Sequence, residues 1–211
     1  MYVPADFTLS DVTAVHAFLR AHVFATIAGE IDGRISFAYA PIVLDTGPEP
    51  LGRIRFHLAR ANPLAGIVDD AALKVSVMGP HAYVSPDWYG TDGMVPTWNY
   101  LVVEGVGRAR RLSDAGLRRL LVDLAAQEES ALAPKTPWMM GRVPAESLNV
   151  LLAAIAGFEL VFETLEGKAK LSQNRAPADR QGAIQGLEQR GDAASLAVAA
   201  AMRKMRASEG E

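Results

Sequence analysis

The chain passes from a strand into a helix start within residues 51–63, which read LGRIRFHLARANP. Apolar residues alternate with cationic ones in its first half, with Ile54, Phe56 and Leu58 set against Arg53, Arg55 and His57. A period of two predicts a strand with one buried and one solvent-facing side. Asn62 favours a helix N-cap and Pro63 suits the first helical position, so a short helix is expected to begin there.

The junction after this strand places a cation beside the expected helix start. Arg60 lies between His57 and Asn62. Free backbone N–H groups and an arginine fork are two means by which proteins bind phosphate. The residues therefore predict a phosphate site, and a solvated basic strand face followed by an ordinary helix start explains them equally well.

Composition excludes several classes of function. The 211 residues suffice for one large domain, or for a domain with a small appendage, and half of them are hydrophobic. Because there is no cysteine, disulfides, thiolate metal sites and cysteine nucleophiles are excluded. A net charge of −3 argues against the chain-wide basic field of nucleic-acid-binding proteins, so any DNA contact needs a local patch.

Targeting signals and membrane spans are not recognisable in the sequence. The N-terminus has neither the basic nor the apolar segment of a signal peptide. The longest apolar run, residues 148–158, is shorter than the ~20 residues of a membrane span. We therefore expect a cytoplasmic protein with no membrane association. The four histidines lack metal-binding spacing, and no metal site is predicted.

The order of predicted elements favours antiparallel pairing. Six or seven strands, among them residues 97–110 and 158–171, are interrupted by helices near residues 113–132 and 145–156 without a regular strand–helix alternation. This order predicts a barrel or sandwich with helices outside it. Gly105 and Gly107 fall inside a predicted strand, where they indicate a bulge or a close backbone approach.

Two further polar segments are candidates for ligand binding. Residues 96–100 (PTWNY) place Trp98, Asn99 and Tyr100 together at a strand start, where they offer a flat apolar surface with amide and hydroxyl groups. This combination suits a planar heteroaromatic ring. A barrel wall or a dimer seam explains the same residues. The second segment follows a long strand and offers polar groups that suit an anion or the polar edge of a ring. It is residues 168–175, which supply the cations Lys168, Lys170 and Arg175, the hydroxyl of Ser172 and the amides of Gln173 and Asn174. A frayed strand end in solvent explains the same residues.

Five blocks of the chain follow one another in a fixed order: residues 1–4, 57–63, 79–89, 95–100, and 157–159 together with 165–175. Taken together they resemble the PaiB family of FMN-binding negative transcriptional regulators. The resemblance implies an α+β fold, an antiparallel split β-barrel of the pyridoxamine-phosphate-oxidase and flavin-reductase type with peripheral helices. We expect the barrel to occupy residues 1–175 and a helical extension to occupy residues 176–211.

The resemblance also implies a homodimer with FMN at the subunit interface and a role in gene repression. In the best-known cases the repressed genes serve sporulation and extracellular proteases. A DNA or protein partner is expected to take part in the regulation. A regulatory role is favoured over an enzymatic one, and a flavin-dependent oxidoreductase is the alternative.

The family pattern assigns roles to ten residues of this chain. His57, Arg60 and Asn62 would surround the FMN phosphate, and Thr97, Trp98 and Asn99 would line the flavin or the interface. Lys170, Ser172, Gln173 and Asn174 would close the cofactor site. The chain departs from the family pattern at Ala38-Tyr39, Phe56 and Ala65.

Overall fold

A computed structural model describes residues 1–66 and 70–208, with side chains as far as Met205. Within these residues the strands are β1 (Thr8–Leu9), β2 (Phe24–Ile31), β3 (Arg34–Pro41), β4 (Val43–Asp45), β5 (Arg53–Ala59), β6 (Ala71–Val84), β7 (Thr97–Arg111) and β8 (Ile155–Lys170). The helices are α1 (Val12–Ala21), α2 (Asp114–Ser130), α3 (Ala145–Ala153), α4 (Pro177–Arg190) and α5 (Ala193–Ser208).

The strands form one antiparallel sheet in the order β3-β2-β6-β7-β8-β5-β4, with β1 paired to β8. β3 and β4 stand at its two ends, so the sheet is not closed within the described part of the chain. The turn from β2 to β3 uses Asp32 and Gly33, both with positive φ (50° and 73°). Two such residues are typical of a tight hairpin turn that matches the strand twist.

The described residues divide into two compact units. Of these, unit 1 comprises residues 1–15, 78–103 and 166–208, and unit 2 comprises residues 16–66, 70–77 and 104–165. β6, β7 and β8 each contribute residues to both units. Because α4 and α5 supply buried residues to the core of unit 1, they are more than a surface attachment there. The domain boundary expected at residue 176 stays a prediction.

In unit 2, β5 confirms the predicted alternation. Its apolar residues are buried, and Phe56 stacks on Phe158 of β8 with ring centroids 5.5 Å apart. On the other face, Arg55 donates two hydrogen bonds to Asp45 (2.7 and 2.9 Å) and one to Asp123 (2.8 Å). The most buried cation of this strand is thus neutralised inside unit 2, which explains part of the cationic pattern without a ligand.

The expected helix after β5 is only partly as predicted. A four-residue 3-10 helix spans Pro63–Gly66, and the rest of the predicted element at residues 67–69 lies outside the described residues.

The close approach expected at the strand glycines, Gly105 and Gly107, is confirmed. A Cβ at Gly107 would lie 2.0 Å from the Val161 carbonyl oxygen, and one at Gly105 would lie 2.4 Å from the Phe162 ring.

Unit 1 is built around Trp88 and the two C-terminal helices. Gly182 and Gly186 of α4 let this helix pack directly on Trp88, since a Cβ at these positions would lie 2.0 Å and 2.2 Å from Trp88 atoms. The buried residues of this core come from β6, β8, α4, α5 and the segment that carries Tyr89. This packing fixes the ends of β6 and β8, and the polar segment of residues 168–175 lies at the end of β8.

Candidate functional site

Arg60 lies at the edge of a groove in unit 2. Its backbone N–H donates to the Ala154 carbonyl oxygen (2.9 Å), and its Nε donates to that of Ala153 (2.8 Å). The groove has a volume of about 300 Å³ and is also lined by Arg118 and Asn149. Because Nε is anchored at α3, the Arg60 guanidinium is held in a fixed orientation at an exposed position.

Asn62 caps the short helix as predicted. Its Oδ1 accepts from the Leu64 N–H (2.9 Å) and its carbonyl oxygen accepts from the Ala65 N–H (2.8 Å). Pro63 has no N–H group to offer. These backbone donors are already satisfied, so a phosphate at this junction would depend on side chains such as Arg60 and not on the helix start.

His57 presents a buried polar atom without a protein partner. Its Nδ1 forms no hydrogen bond within the described residues. Burial lowers the pKa of His57 below the ordinary value of 6.5, so the ring is neutral at pH 7. Because this nitrogen is buried, a ligand group reaches it only if the surrounding residues move.

The second and third polar segments come together in unit 1. Asn99 Nδ2 donates to Ser172 Oγ (3.0 Å), and the Ser172 hydroxyl donates to Asn99 Oδ1 (3.2 Å). Both side chains are buried, and Asn99 Nδ2 also approaches Met202 Sδ at 3.4 Å. The polar atoms of Asn99 are therefore used within the protein, which makes this residue a support for the site.

Lys170 ties the start of β7 to the end of β8. Its Nζ donates to Thr97 Oγ1, and to the Trp98 carbonyl oxygen at 3.1 Å. Burial lowers the pKa of Lys170, and the charges of Lys168 and Arg175 lower it further against an opposing effect from Tyr100. Among the described residues, Lys170 donates its hydrogen bonds to neutral acceptors, so its charge can be offered to an anion.

Gln173 and Asn174 have different surroundings. Gln173 Oε1 accepts from the Leu171 N–H (2.7 Å), and its Nε2 donates to the Ala169 carbonyl oxygen (2.6 Å). The Gln173 side chain therefore bonds back to the backbone at the end of β8. Asn174 is exposed to solvent.

An aromatic surface missed by the sequence analysis surrounds Trp98. The Trp98 side chain is 53% exposed, and the His81 and Tyr83 rings lie 6.2 Å and 6.3 Å from its ring, centroid to centroid. Along β6 the buried residues change from odd to even numbers between Gly79 and Ala82, the pattern of a β-bulge. The Gly79-Pro80 pair was the available signal for this change of side.

The ten predicted residues thus fall into two groups. His57, Arg60 and Asn62 belong to unit 2, whereas the other seven belong to unit 1. Within unit 1 the structure brings together Thr97, Trp98 and Lys170, and it pairs Asn99 with Ser172. The binding roles of all ten residues stay predictions.

The surface of unit 1 suits a flavin. An exposed Trp98 ring with a neighbouring tyrosine and histidine offers a flat apolar contact, and Lys170 offers a cation beside it. Flavin chemistry belongs to the cofactor, so the protein needs only to bind and orient it.

Within residues 1–66 and 70–208 no helix is long and apolar enough to cross a membrane.

Comparison with known sequences identifies relatives along most of the chain. The family described as "Putative FMN-binding domain" matches residues 1–164. The protease synthase and sporulation protein PAI 2 of Bacillus subtilis is 29% identical and covers 89% of this chain and 89% of its own. An uncharacterized protein of Emericella nidulans is also 29% identical, over 97% of both chains.

Solved structures with a similar fold include two cofactor-binding proteins. The flavocytochrome Anf3 from Azotobacter vinelandii superposes with a TM-score of 0.56 at 17% identity, over 77% of this chain and 69% of that one. The FAD and heme binding protein from Mycobacterium smegmatis gives 0.55 at 16% identity, over 77% and 73%.

These likenesses bear on the fold, and they confirm the predicted α+β architecture of an antiparallel split barrel with peripheral helices. The sequence match bears on the cofactor, and it confirms FMN or a related flavin. The chain belongs to the family of FMN-binding domains and is a relative of PAI 2.

Proposed function

We propose that the protein is an FMN-binding negative transcriptional regulator of the PaiB type that works as a cytoplasmic homodimer. The observation that carries the proposal is the aromatic surface at Trp98 with Lys170 beside it, in a chain whose family binds FMN. The relationship to PAI 2, a protein named for protease synthesis and sporulation, supports the regulatory part.

The flavin ring is proposed to lie against Trp98 in unit 1. More than half of the Trp98 side chain is open to solvent, although a tryptophan of this size is usually largely buried. The His81 and Tyr83 rings neighbour the indole, and the exposed part of its surface is left for a ligand. Stacking of two flat rings contributes about 0.5–1.5 kcal/mol beyond the burial of their area.

The absorbance spectrum of the purified protein tests flavin binding. We expect the visible bands of bound flavin after saturation with FMN, and quenching of tryptophan fluorescence that Trp98→Leu largely abolishes. Trp138→Leu is the matched control, since Trp138 lies in unit 2. Full-length protein that shows neither bound flavin nor quenching would contradict the proposal.

A homodimer is supported by an apolar surface on unit 2. Four residues of β2 and β3 are more than half exposed: Phe24, Ile35, Phe37 and Tyr39. The antiparallel register sets Tyr39 opposite Thr26 and Phe37 opposite Ala28, so the large side chains share one face of the hairpin. Contiguous exposed apolar surface of this kind marks an interaction site.

The regulatory role is tested with a reporter gene in cells and with the flavin-loaded protein. The acidic chain favours repression through a protein partner or through flavin occupancy, because non-specific DNA affinity comes from basic surface. We expect repression of a reporter gene in cells to be lost in the Trp98→Leu variant and kept in Trp138→Leu. Rapid NAD(P)H oxidation by the flavin-loaded protein, with reporter expression unaffected by either variant, would favour the oxidoreductase.

A further inference from the structure

Three cations lie close together at the end of β8 in unit 1. Lys168 and Lys170 are alternate residues of the strand, so their side chains project from the same face. Arg175 follows in the turn after the strand, where its N–H donates to the Ser172 carbonyl oxygen (3.0 Å). The charges of Lys168 and Arg175 both reach Lys170 and lower its pKa, in addition to the larger effect of burial.

Neutral groups surround all three cations. Lys168 Nζ donates to the Tyr2 carbonyl oxygen (3.2 Å) and lies 5.4 Å from the centre of the Tyr100 ring. Arg175 donates from a terminal nitrogen to Met94 Sδ (3.3 Å), a weak acceptor. In the described part of the chain, neither these two residues nor Lys170 pairs with a carboxylate.

The carboxylates of neighbouring segments have other partners. Glu166 accepts from the amino group of Met1 (2.7 Å). Asp179 accepts from the Gly90 N–H (2.9 Å) and from the Thr91 hydroxyl (2.9 Å). Like charges that are partly buried disfavour one another, and a bound anion relieves that repulsion.

Aromatic surface adjoins the three cations. Trp98 and Tyr100 are alternate residues of β7, which is next to β8 in the sheet. Arg175 lies over the Tyr89 ring at 5.7 Å from its centre. Tyr89 is 8% exposed, and its hydroxyl forms no hydrogen bond among the described residues. Flat rings, cations and an unused hydroxyl therefore occur on one unit.

We propose that Lys168, Lys170 and Arg175 bind the phosphomonoester group of a ligand whose ring lies on the Trp98 and Tyr100 surface. Arg175 suits bidentate binding of phosphate oxygens, and the two lysines act as point charges beside it. The phosphate is either that of FMN or that of a second ligand. The ring contact rests on the proposed flavin function, whereas the anion contact is tested independently of it.

Calorimetric titration of the full-length protein with phenyl phosphate and with phenol tests the anion contact. We expect phenyl phosphate to bind at least about 10-fold more tightly than phenol, which corresponds to one charge-assisted hydrogen bond. Lys168→Met and Arg175→Met should each remove most of that preference, because methionine keeps an apolar stem without the charge. Lys204→Met removes a lysine from α5 and should leave the preference unchanged.

Equal affinity for phenyl phosphate and phenol in the wild-type protein would overturn the proposal. The proposal is also overturned if Lys168→Met and Arg175→Met fold normally, as judged by circular dichroism, and keep the full preference for phenyl phosphate over phenol. Having two variants on different segments protects the test against the misfolding of one of them.

The source of the phosphate is identified with FMN and riboflavin, which share the ring and differ in the phosphate. If Lys168→Met abolishes a preference for FMN over riboflavin, the phosphate is that of the flavin. If the preference survives and phenyl phosphate binds to FMN-saturated protein, the site serves a second ligand. Failure of riboflavin and FMN to bind at all would contradict the proposed function, while the phenyl phosphate comparison still decides the anion site.

Discussion

Asn99 and Ser172 hydrogen-bond to each other through both polar atoms of the asparagine amide. The serine oxygen accepts from Asn99 Nδ2 at 3.0 Å and donates to Asn99 Oδ1 at 3.2 Å. The two residues are 0% and 4% exposed. This closed pair connects β7 to the turn after β8, and it holds Trp98 and Lys170 beside each other.

Loss of the serine hydroxyl should destabilise unit 1. Ser172→Ala leaves the buried amide of Asn99 without its main partner, which costs about 1–3 kcal/mol of the free energy of unfolding. Ser172 has a φ of 60°, a conformation that glycine adopts without strain. We therefore expect Ser172→Gly to be less destabilised than Ser172→Ala in urea unfolding. The reverse order would show that backbone strain at this turn is unimportant.

The family pattern assigns the FMN phosphate to Arg60 in unit 2, as the alternative to Lys168, Lys170 and Arg175 in unit 1. If Arg60 binds this phosphate, Arg60→Ala should weaken FMN binding by about 10-fold or more, since a charge-assisted hydrogen bond contributes about 1.5–3 kcal/mol. Riboflavin affinity should be unchanged, because riboflavin lacks the phosphate. Fluorescence titration measures both affinities, and the exposed Arg110 supplies the matched variant Arg110→Ala. If Arg60→Ala and Arg110→Ala bind FMN equally well, the phosphate assignment at residue 60 is wrong.

The apolar face of β2 and β3 should form the homodimer interface. Phe37→Glu places a charge in the middle of that face and should weaken dimerisation by about 30-fold, the effect of losing an interface anchor worth about 2 kcal/mol. Sedimentation velocity over a concentration series gives the dissociation constants. Val122→Glu, at an exposed apolar residue of α2, is the control. A wild-type protein that sediments as a monomer at every concentration contradicts the homodimer itself.

The sheet was predictable from the sequence wherever the pattern is local. Alternation in residues 51–58 predicts β5, and Asn62 with Pro63 predicts the helix start that the structure shows as the 3-10 helix Pro63–Gly66. What the pattern could not reveal is that Arg55 pairs with Asp45 and Asp123, because Asp123 is 68 residues away. The cationic pattern of β5 is therefore the same whether its arginines bind a ligand or form ion pairs with other parts of the protein.

Prediction of the site had a similar limit. The family pattern grouped Thr97 and Trp98 with Lys170, and the structure places these three in contact. His81 and Tyr83 were missed because a bulge near Gly79 shifts the alternation of β6 by one residue. The departures at Phe56 and Ala65 fall on fully buried positions, so they concern packing inside unit 2.

Stability should fall at mildly acidic pH because of His57. Burial holds the pKa of folded His57 below the value of 6.5 that it has when unfolded. As the pH drops below about 6.5, the unfolded chain takes up a proton that the folded protein does not, and unfolding becomes more favourable. Urea unfolding of flavin-free protein between pH 8 and pH 5 should show this loss, and His57→Gln should reduce it.

His22 is the necessary comparison in that experiment, because burial lowers its pKa as well. His22→Gln should also reduce the loss of stability at acidic pH, independently of His57→Gln. Burial raises the pKa of Asp45, but the hydrogen bonds and charges of Arg55 and Arg53 outweigh it and hold that pKa below its ordinary value, outside the pH range of this experiment. An unchanged profile in His57→Gln would mean that His57 is solvated in the folded protein.

At Gly107 the backbone of β8 lies so close to β7 that there is no room for a side chain. A Cβ there would lie 2.0 Å from the Val161 carbonyl oxygen and 2.8 Å from its carbonyl carbon, and backbone cannot move aside as a flexible side chain can. We expect Gly107→Ala to lower the free energy of unfolding by about 3 kcal/mol or more. Gly47→Ala, where nothing lies within 4 Å, should change it by less than about 0.5 kcal/mol. Equal thermal unfolding of the two variants would mean that β7 and β8 are further apart at this point than the structure shows.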